Sequence, residues 1–342
     1  MTLSIILKYL LANIFHSTGY VSWKARKYRN PDFLILMYHR VVHAKENSGY
    51  LEPGMFVEPE TFELHVSILK KYFQVVPLRE IMMDDFVSRA HSDGRPLCAL
   101  TFDDGWLDFY THAFPILMAE EIPATVLLPT EFIGTKDWFW TERLGYIYDR
   151  IEGQKGNARK NASHNMHVER LENMKGTREA IMDKAISSMK LLPEKIIEDV
   201  LLELSTRWGL TAERSSRAFL SWEEVIDMYK SGLVTFGSHT ARHRILTTLQ
   251  EEGIRNELIL SREALIEKNV VDPSFIPFCY PNGNYNRNIM EMVEKAGYSL
   301  AVTTENGWNR RGSNMFCLRR IGIHQDMTAT NAMFECRLFG IA

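Results

Sequence analysis

Apolar runs of strand length recur along this chain, and most are followed by a segment of helical periodicity. The runs fall at 33–39 (FLILMYH), 97–103, 124–129, 233–238, 275–280, 299–303 and 317–323, with a shorter one near 73–76. Helical patterns fall at 60–72, 78–90, 108–121, 222–231, 248–269 and 287–296. This alternation is the signature of a parallel α/β architecture. Seven or eight such strands point to a closed or nearly closed barrel, with a doubly wound sheet as the alternative.

One segment breaks the rhythm. From about 137 to 217 the chain is charged and helical, opening on the aromatic stretch WFWTERLGYIY and containing the polar stretch GQKGNARKNASHN. A structureless loop of that length is improbable inside a domain, so a helical insertion between two barrel strands is expected. The remainder is ordinary globular material, 342 residues with 45% hydrophobic and 24% charged side chains. Forty Lys and Arg against 43 Asp and Glu give a net charge of −3, which removes any global field that would gather nucleic acid. The cysteines Cys98, Cys279, Cys317 and Cys336 form no CxxC pair and read as small core residues.

Residues 1–30 are set apart as an N-terminal helix and basic linker ahead of the barrel at 31–342. The apolar stretch LSIILKYLLANIF at 3–15 is interrupted by Lys8 and falls short of the ~20 residues that a membrane span requires. Ser4, Lys8, Ala12 and His16 form one narrow polar stripe at i, i+4 spacing, and Lys24, Arg26, Lys27 and Arg29 follow as a basic cluster. Three readings stand: an interfacial helix on the anionic inner face of the cell membrane, a helix packed on its own domain, or an uncleaved signal anchor.

In an α/β fold, reactive groups collect at the C-terminal ends of parallel strands. Asp103 and Asp104 end one such strand in LTFDDGW, with Gly105 permitting the turn. Two adjacent carboxylates repel unless something cationic shares them. His239 and His243 follow the strand LVTFGS in GSHTARH, where one helical turn would point both imidazoles the same way. His39 ends the strand LILMYH. Each feature alone has a bland explanation as a helix cap or a structural histidine. Together, at the ends of three strands far apart in the chain, they form a coherent site.

TFDDG followed by GSHTxxH resembles the polysaccharide deacetylase family, carbohydrate esterase family 4, over roughly residues 33–324. The resemblance implies a distorted (β/α) barrel of about seven parallel strands that removes acetyl groups from sugars. It also implies that Asp104, His239 and His243 bind a divalent metal, zinc above all, while Asp103 is the catalytic base. The chemistry agrees: two imidazoles and one carboxylate leave coordination positions open, as a catalytic zinc requires. Such an ion polarises the amide carbonyl and acidifies water.

The chain departs from the commonest family pattern twice. Many relatives carry the acid histidine in a late Leu-x-His motif, whereas here the late strand reads CLRRIGIH. The early MYHRV resembles the YHxV segment of the poly-N-acetylglucosamine deacetylase branch, which favours His39 over His324 as the acid. Where many relatives have Arg-x-Pro-Tyr, with the arginine orienting the base, this chain has FCYPNG; Arg320 is the expected substitute. Tyr280, Pro281 and Asn282 in that loop, with Trp106 and Trp138, are candidate substrate contacts, Asn282 or its backbone N–H serving the oxyanion site. Other histidines, among them His65, His91, His112, His164 and His167, read as surface residues.

The expected function is metal-dependent N-deacetylation of a sugar, glycolipid or polysaccharide during surface-polysaccharide assembly, at the cytoplasmic side of the membrane. Two alternatives remain. One is an extracytoplasmic deacetylase of a finished polymer, poly-N-acetylglucosamine or peptidoglycan; the other is a noncatalytic carbohydrate-binding barrel.

Overall fold

The computed structural model describes residues 3–27, 32–45, 53–82, 94–153, 165–211, 214 and 216–341. Its main sheet contains β1 (Asp32–Tyr38), β4 (Gln74–Val75), β5 (Leu97–Asp103), β6 (Ala124–Leu128), β7 (Val234–Ser238), β8 (Pro277–Cys279), β9 (Leu300–Asn306), β10 (Asn309–Arg310) and β11 (Leu318–Gly322). Arg40–Val41 (β2) and Phe56–Val57 (β3) pair separately. Seven strands close in the order β1-β11-β9-β8-β7-β6-β5, and β5 returns to β1 in parallel register from Phe33↔Leu97 to Tyr38↔Phe102. The fold is therefore the closed parallel barrel rather than the doubly wound sheet. Short β4 joins β5 from outside the ring, and β10 pairs antiparallel with the start of β1.

Strands in this ring are covered on both faces, which is why they read as continuous apolar runs; every residue of β5 and of β6 is buried. Alternation along each strand still divides the two sides. Phe33, Ile35, Leu97, Ala99, Cys279, Leu300, Val302 and Leu318 belong to one apolar cluster, which Val76, Leu78, Ile81 and Phe275 extend. The same period-two row on β5 continues from Leu97 and Ala99 to Thr101 and Asp103, so an apolar floor gives way to a polar top. On β11 the register against β9 shifts between Leu318 and Arg320, a local irregularity beside a buried arginine.

Chain contacts cluster into two compact units. The first holds the barrel with the N-terminal helices, and the second is the insertion, Lys136–Ala218. Within the second, the helices Trp140–Gly153, Met166–Glu172, Arg178–Met189 and Glu194–Arg207 share their own core, including Leu144, Ile147, Val168, Met182 and Val200. The expected helix at 78–90 begins as a 3-10 turn, Leu78–Met82; residues 83–90 lie outside the described residues, as do Arg29, His91 and His164.

One expectation needs correction here. His65 is not a surface residue: it is fully buried, stacked on Phe334 with centroids 3.8 Å apart. Its Nε2 donates to Thr328 O at 2.8 Å, which leaves Nδ1 to accept from Tyr38 Oη at 3.2 Å. In addition, a C-terminal helix, Asn331–Leu338, is present that periodicity did not reveal.

Candidate active site

Asp103 and Asp104 end β5, but the backbone turns sharply between them. Asp104 takes φ 73° and Gly105 φ 63°, so consecutive residues adopt the left-handed region and the two carboxylates leave the strand in different directions. Asp103 continues the inward row and meets Arg320 in a bidentate pair, Nη1 to Oδ1 and Nη2 to Oδ2, each 2.7 Å. Arg320 is 0% exposed and is held in turn by Thr303 O at 2.8 Å and Thr101 Oγ1 at 3.0 Å. Burial pushes the Asp103 carboxyl up, but the Arg320 guanidinium outweighs it and holds the group below the usual carboxylate range.

Asp104 points to the histidines. Its Oδ1 lies 3.4 Å from His239 Nε2 and 3.2 Å from His243 Nε2, and those two nitrogens are 3.2 Å apart. The loop after β7 is not the expected helical turn. Thr240 (φ 66°) and His243 (φ 56°) instead fold it back through left-handed backbone, a strain that sites of this kind accept. Ala241 N–H and Arg242 N–H both donate to the buried Glu257 carboxylate, at 3.0 and 2.8 Å, and fix the loop. His239 Nδ1 faces the Cys279 carbonyl at 2.9 Å; a carbonyl only accepts, so Nδ1 carries a proton and the ring is held with Nε2 turned to Asp104 and His243.

A family model described as polysaccharide deacetylase matches residues 90–301. The chain belongs to the polysaccharide deacetylase family. The matched span contains Asp103, Asp104, His239 and His243, while His39 and Arg320 lie outside it. The Bacillus subtilis protein YxkH, whose name assigns it to the polysaccharide deacetylases, is 29% identical over 111 residues; the match covers 32% of this chain and 39% of that relative. Among solved structures, the Streptococcus pyogenes deacetylase PplD in complex with acetate is similar, with a TM-score of 0.53 at 20% identity over 89% of this chain and 97% of that one. IcaB from Ammonifex degensii gives 0.55 at 18% identity over 91% and 97%. At these identities the structural likeness speaks for the fold.

Members of the polysaccharide deacetylase family hold a divalent ion, and the donor set here fits one. Asp104 Oδ1 is buried without a hydrogen-bond partner, an orphaned anionic oxygen facing two imidazole nitrogens. Donors at ~2.0–2.1 Å from a tetrahedral ion stand about 3.3–3.4 Å from one another, close to the edges of the Asp104–His239–His243 triangle. Asp103, His239 and Cys279 also cluster within ligand reach. That set is the poorer one, because Arg320 occupies both Asp103 oxygens and burial pushes the Cys279 thiol up, keeping its proton.

His39 comes to this site from the end of β1, its Nε2 4.0 Å from Asp103 Oδ2. Burial lowers its proton affinity against the pull of Asp104 and Asp103. His324 instead precedes the short helix Gln325–Thr328, with Nδ1 paired to Asp326.

The candidate substrate contacts separate. Trp106 is 4% exposed, stacked on Phe219 at 4.6 Å, and its indole N–H donates to Asp104 Oδ2 at 3.1 Å. It therefore orients the Asp104 carboxylate, with the Arg40 guanidinium 4.6 Å over its ring and Arg40 tied to Asp108 at 2.7 Å. Tyr280 and Pro281 are buried, the Tyr280 hydroxyl donating to Phe316 O at 2.9 Å; Asn282 is exposed with φ 56°. Trp138 belongs to the helical unit, edge-on to Tyr146 at 5.1 Å and beneath the Arg214 guanidinium at 5.3 Å. Glu257, Asp108 and the Cys279 carbonyl are supporting groups that no motif announced.

Proposed function

We propose that this chain is a metal-dependent sugar N-deacetylase acting in surface-polysaccharide or glycolipid biosynthesis. The observation that carries this reading is a division of labour between adjacent carboxylates. Asp103 is clamped by Arg320, and Asp104 is turned to two imidazoles. A divalent ion held by Asp104, His239 and His243, with zinc suited to that donor set, would supply the Lewis acidity that polarises an amide carbonyl and lowers the pKa of water.

The remaining steps belong to the protein. Asp103, kept ionised by Arg320, accepts the proton that the attacking water gives up as oxygen bonds to the acyl carbon. The C–N bond then breaks, and the sugar nitrogen must leave as an amine. His39 is favoured over His324 as donor of that proton, because it stands across the site from Asp103 while His324 is engaged with Asp326. The backbone N–H of Asn282 is the proposed donor to the oxyanion.

Acetate release from a panel of N-acetylated lipid-linked sugars and soluble oligosaccharides, with and without chelator, tests the reading. Activity that chelator abolishes, that divalent ion restores and that Asp103→Asn and Asp104→Asn each remove is the expected result. Glycan binding without acetate release from any substrate would refute it. His39→Gln and His324→Gln compared on the same substrate separate the two candidate acids.

A further inference from the structure

The N-terminal helix, Leu3–Ser17, turns Ala12 and His16 of its polar stripe to the protein and leaves an apolar row from Leu7 to Ile14 in solvent. Ala12 is buried and its carbonyl lies 4.0 Å from Cys336 Sγ, while His16 Nδ1 meets the buried Glu335 carboxylate at 2.7 Å. Lys24 Nζ donates to Gly340 O at 2.7 Å, a second tie to the C-terminal segment. Left outside are Leu7, Leu10, Leu11 and Ile14, at 58, 53, 39 and 54% exposure. Their i, i+3, i+4, i+7 spacing puts them on one side of the helix. The ring contacts Phe15–Tyr20 (5.3 Å) and Tyr20–Trp23 (5.4 Å) link this helix to the next, Tyr20–Ala25, whose Trp23 is 51% exposed. Lys27 Nζ stands 3.8 Å from the Trp23 ring centroid.

So regular an apolar row calls for a covering surface, and charge identifies it. Residues 1–31 contain Lys8, Lys24, Arg26, Lys27 and Arg29 and no Asp or Glu, although the whole chain carries −3. A second copy of the chain would bring two such cationic segments face to face and pay like-charge repulsion. An anionic bilayer matches both the charge and the apolar row, with tryptophan at the boundary. Fifteen helical residues reach only about 22 Å, and no described helix is long and apolar enough to cross a membrane, so the helix lies along the surface.

We propose that Leu3–Ser17 and Tyr20–Ala25 dock the barrel on an anionic membrane surface, with Leu7, Leu10, Leu11 and Ile14 entering the acyl boundary and Lys27 and Arg26 among the lipid phosphates. This goes beyond the deacetylase reading and stands without it.

Co-sedimentation of the full chain with vesicles tests the proposal, using phosphatidylcholine alone against phosphatidylcholine mixed with phosphatidylglycerol. The wild type should bind the mixed vesicles, bind neutral ones weakly and be released by salt. Leu10→Asp/Ile14→Asp should lower partitioning by roughly a hundredfold. Lys27→Glu should lower it by at least about fivefold on anionic vesicles alone. Leu202→Asp, at a position 63% exposed in the insertion, should change nothing. Acetate release from a short soluble oligosaccharide should persist in all three variants, and its loss in the wild type would sink only the deacetylase reading. Equal binding by Leu10→Asp/Ile14→Asp, or no binding by the wild type, would overturn the docking proposal. A dimer in ultracentrifugation that this double variant splits, with no vesicle binding, would assign the face to a second copy and overturn it too.

Discussion

Arg320→Met tests whether the barrel's polar top is built around one ion pair. The substitution removes a guanidinium that is 0% exposed and makes two 2.7 Å bonds to Asp103, one of 2.8 Å to Thr303 O and one of 3.0 Å to Thr101 Oγ1. Asp103, itself 2% exposed, is left without its cation, and the Thr303 carbonyl loses a donor. Breaking a buried pair from one side costs roughly 3–5 kcal/mol, because the surviving charge stays desolvated. Asp103→Asn breaks it from the other side at a similar cost. The double variant strands no charge, so it should be less destabilised than either single one, whereas independent sites would add to about 6–10 kcal/mol.

The assay is hydrogen exchange of β5 amides, read in a peptide covering Leu97–Asp103, which reports the barrel apart from the insertion. Each single variant should speed exchange by roughly 150- to 5000-fold, and the double variant by less. Arg320→Lys keeps the charge without the fork and should fall between wild type and Arg320→Met. Additive exchange changes in the double variant would refute the argument, since the two groups would then not be coupled.

Three further outcomes are expected. Trp106→Phe removes the N–H donated to Asp104 and should weaken divalent-ion affinity by about 10- to 100-fold in competition with a chromogenic chelator; an unchanged affinity would contradict the orienting role. Burial lowers His65 from 6.5 to about 3, so the unfolded chain takes up its proton first, and stability is full above about pH 7 and lost as pH falls from about 6.5 toward 3. This one group should account for about 2 kcal/mol of lost stability by pH 5, and His65→Gln should flatten the urea-midpoint profile over that window. Gly283→Ala puts a Cβ 1.9 Å from Thr304 Oγ1 at φ +71°, so the loop after β8 should shift at a cost of about 1–3 kcal/mol, seen as faster exchange in β8.

The barrel was legible because parallel strands covered on both faces must be continuously apolar. Every expected strand is present within a few residues of its expected limits. The candidate site was legible because a fold of this kind gathers polar groups at strand ends, where a carboxylate pair and an HxxxH stand out against apolar neighbours. Their supports were not. Glu257 is one acid among many on the helix Glu251–Glu267, and only the folded loop shows two N–H groups aimed at it. The Cys279 carbonyl has no sequence signature at all, and Trp106 reads as a sugar contact or a core ring, with nothing to announce its N–H on Asp104. The HxxxH spacing was informative while the reason for it was not: left-handed backbone at Thr240 and His243, rather than a helical turn, brings the imidazoles together.

One unread element accounts for the misreading of His65 and for the choice that the N-terminal helix left open. The helix Asn331–Leu338 carries Phe334 against the His65 ring and Glu335 against His16. Its apolar residues, Ala332, Met333, Phe334, Cys336 and Leu338, are buried nearly all round, so it lacks the one-sided stripe by which surface helices are found. Without it, a histidine on Pro59–Tyr72 reads as solvated, and the polar stripe of Leu3–Ser17 has no assigned partner. With it, the stripe has a buried carboxylate to meet, and the apolar row must face outward. Periodicity defines the faces of a helix; the charge and apolarity of the element packed against it decide which face the solvent receives.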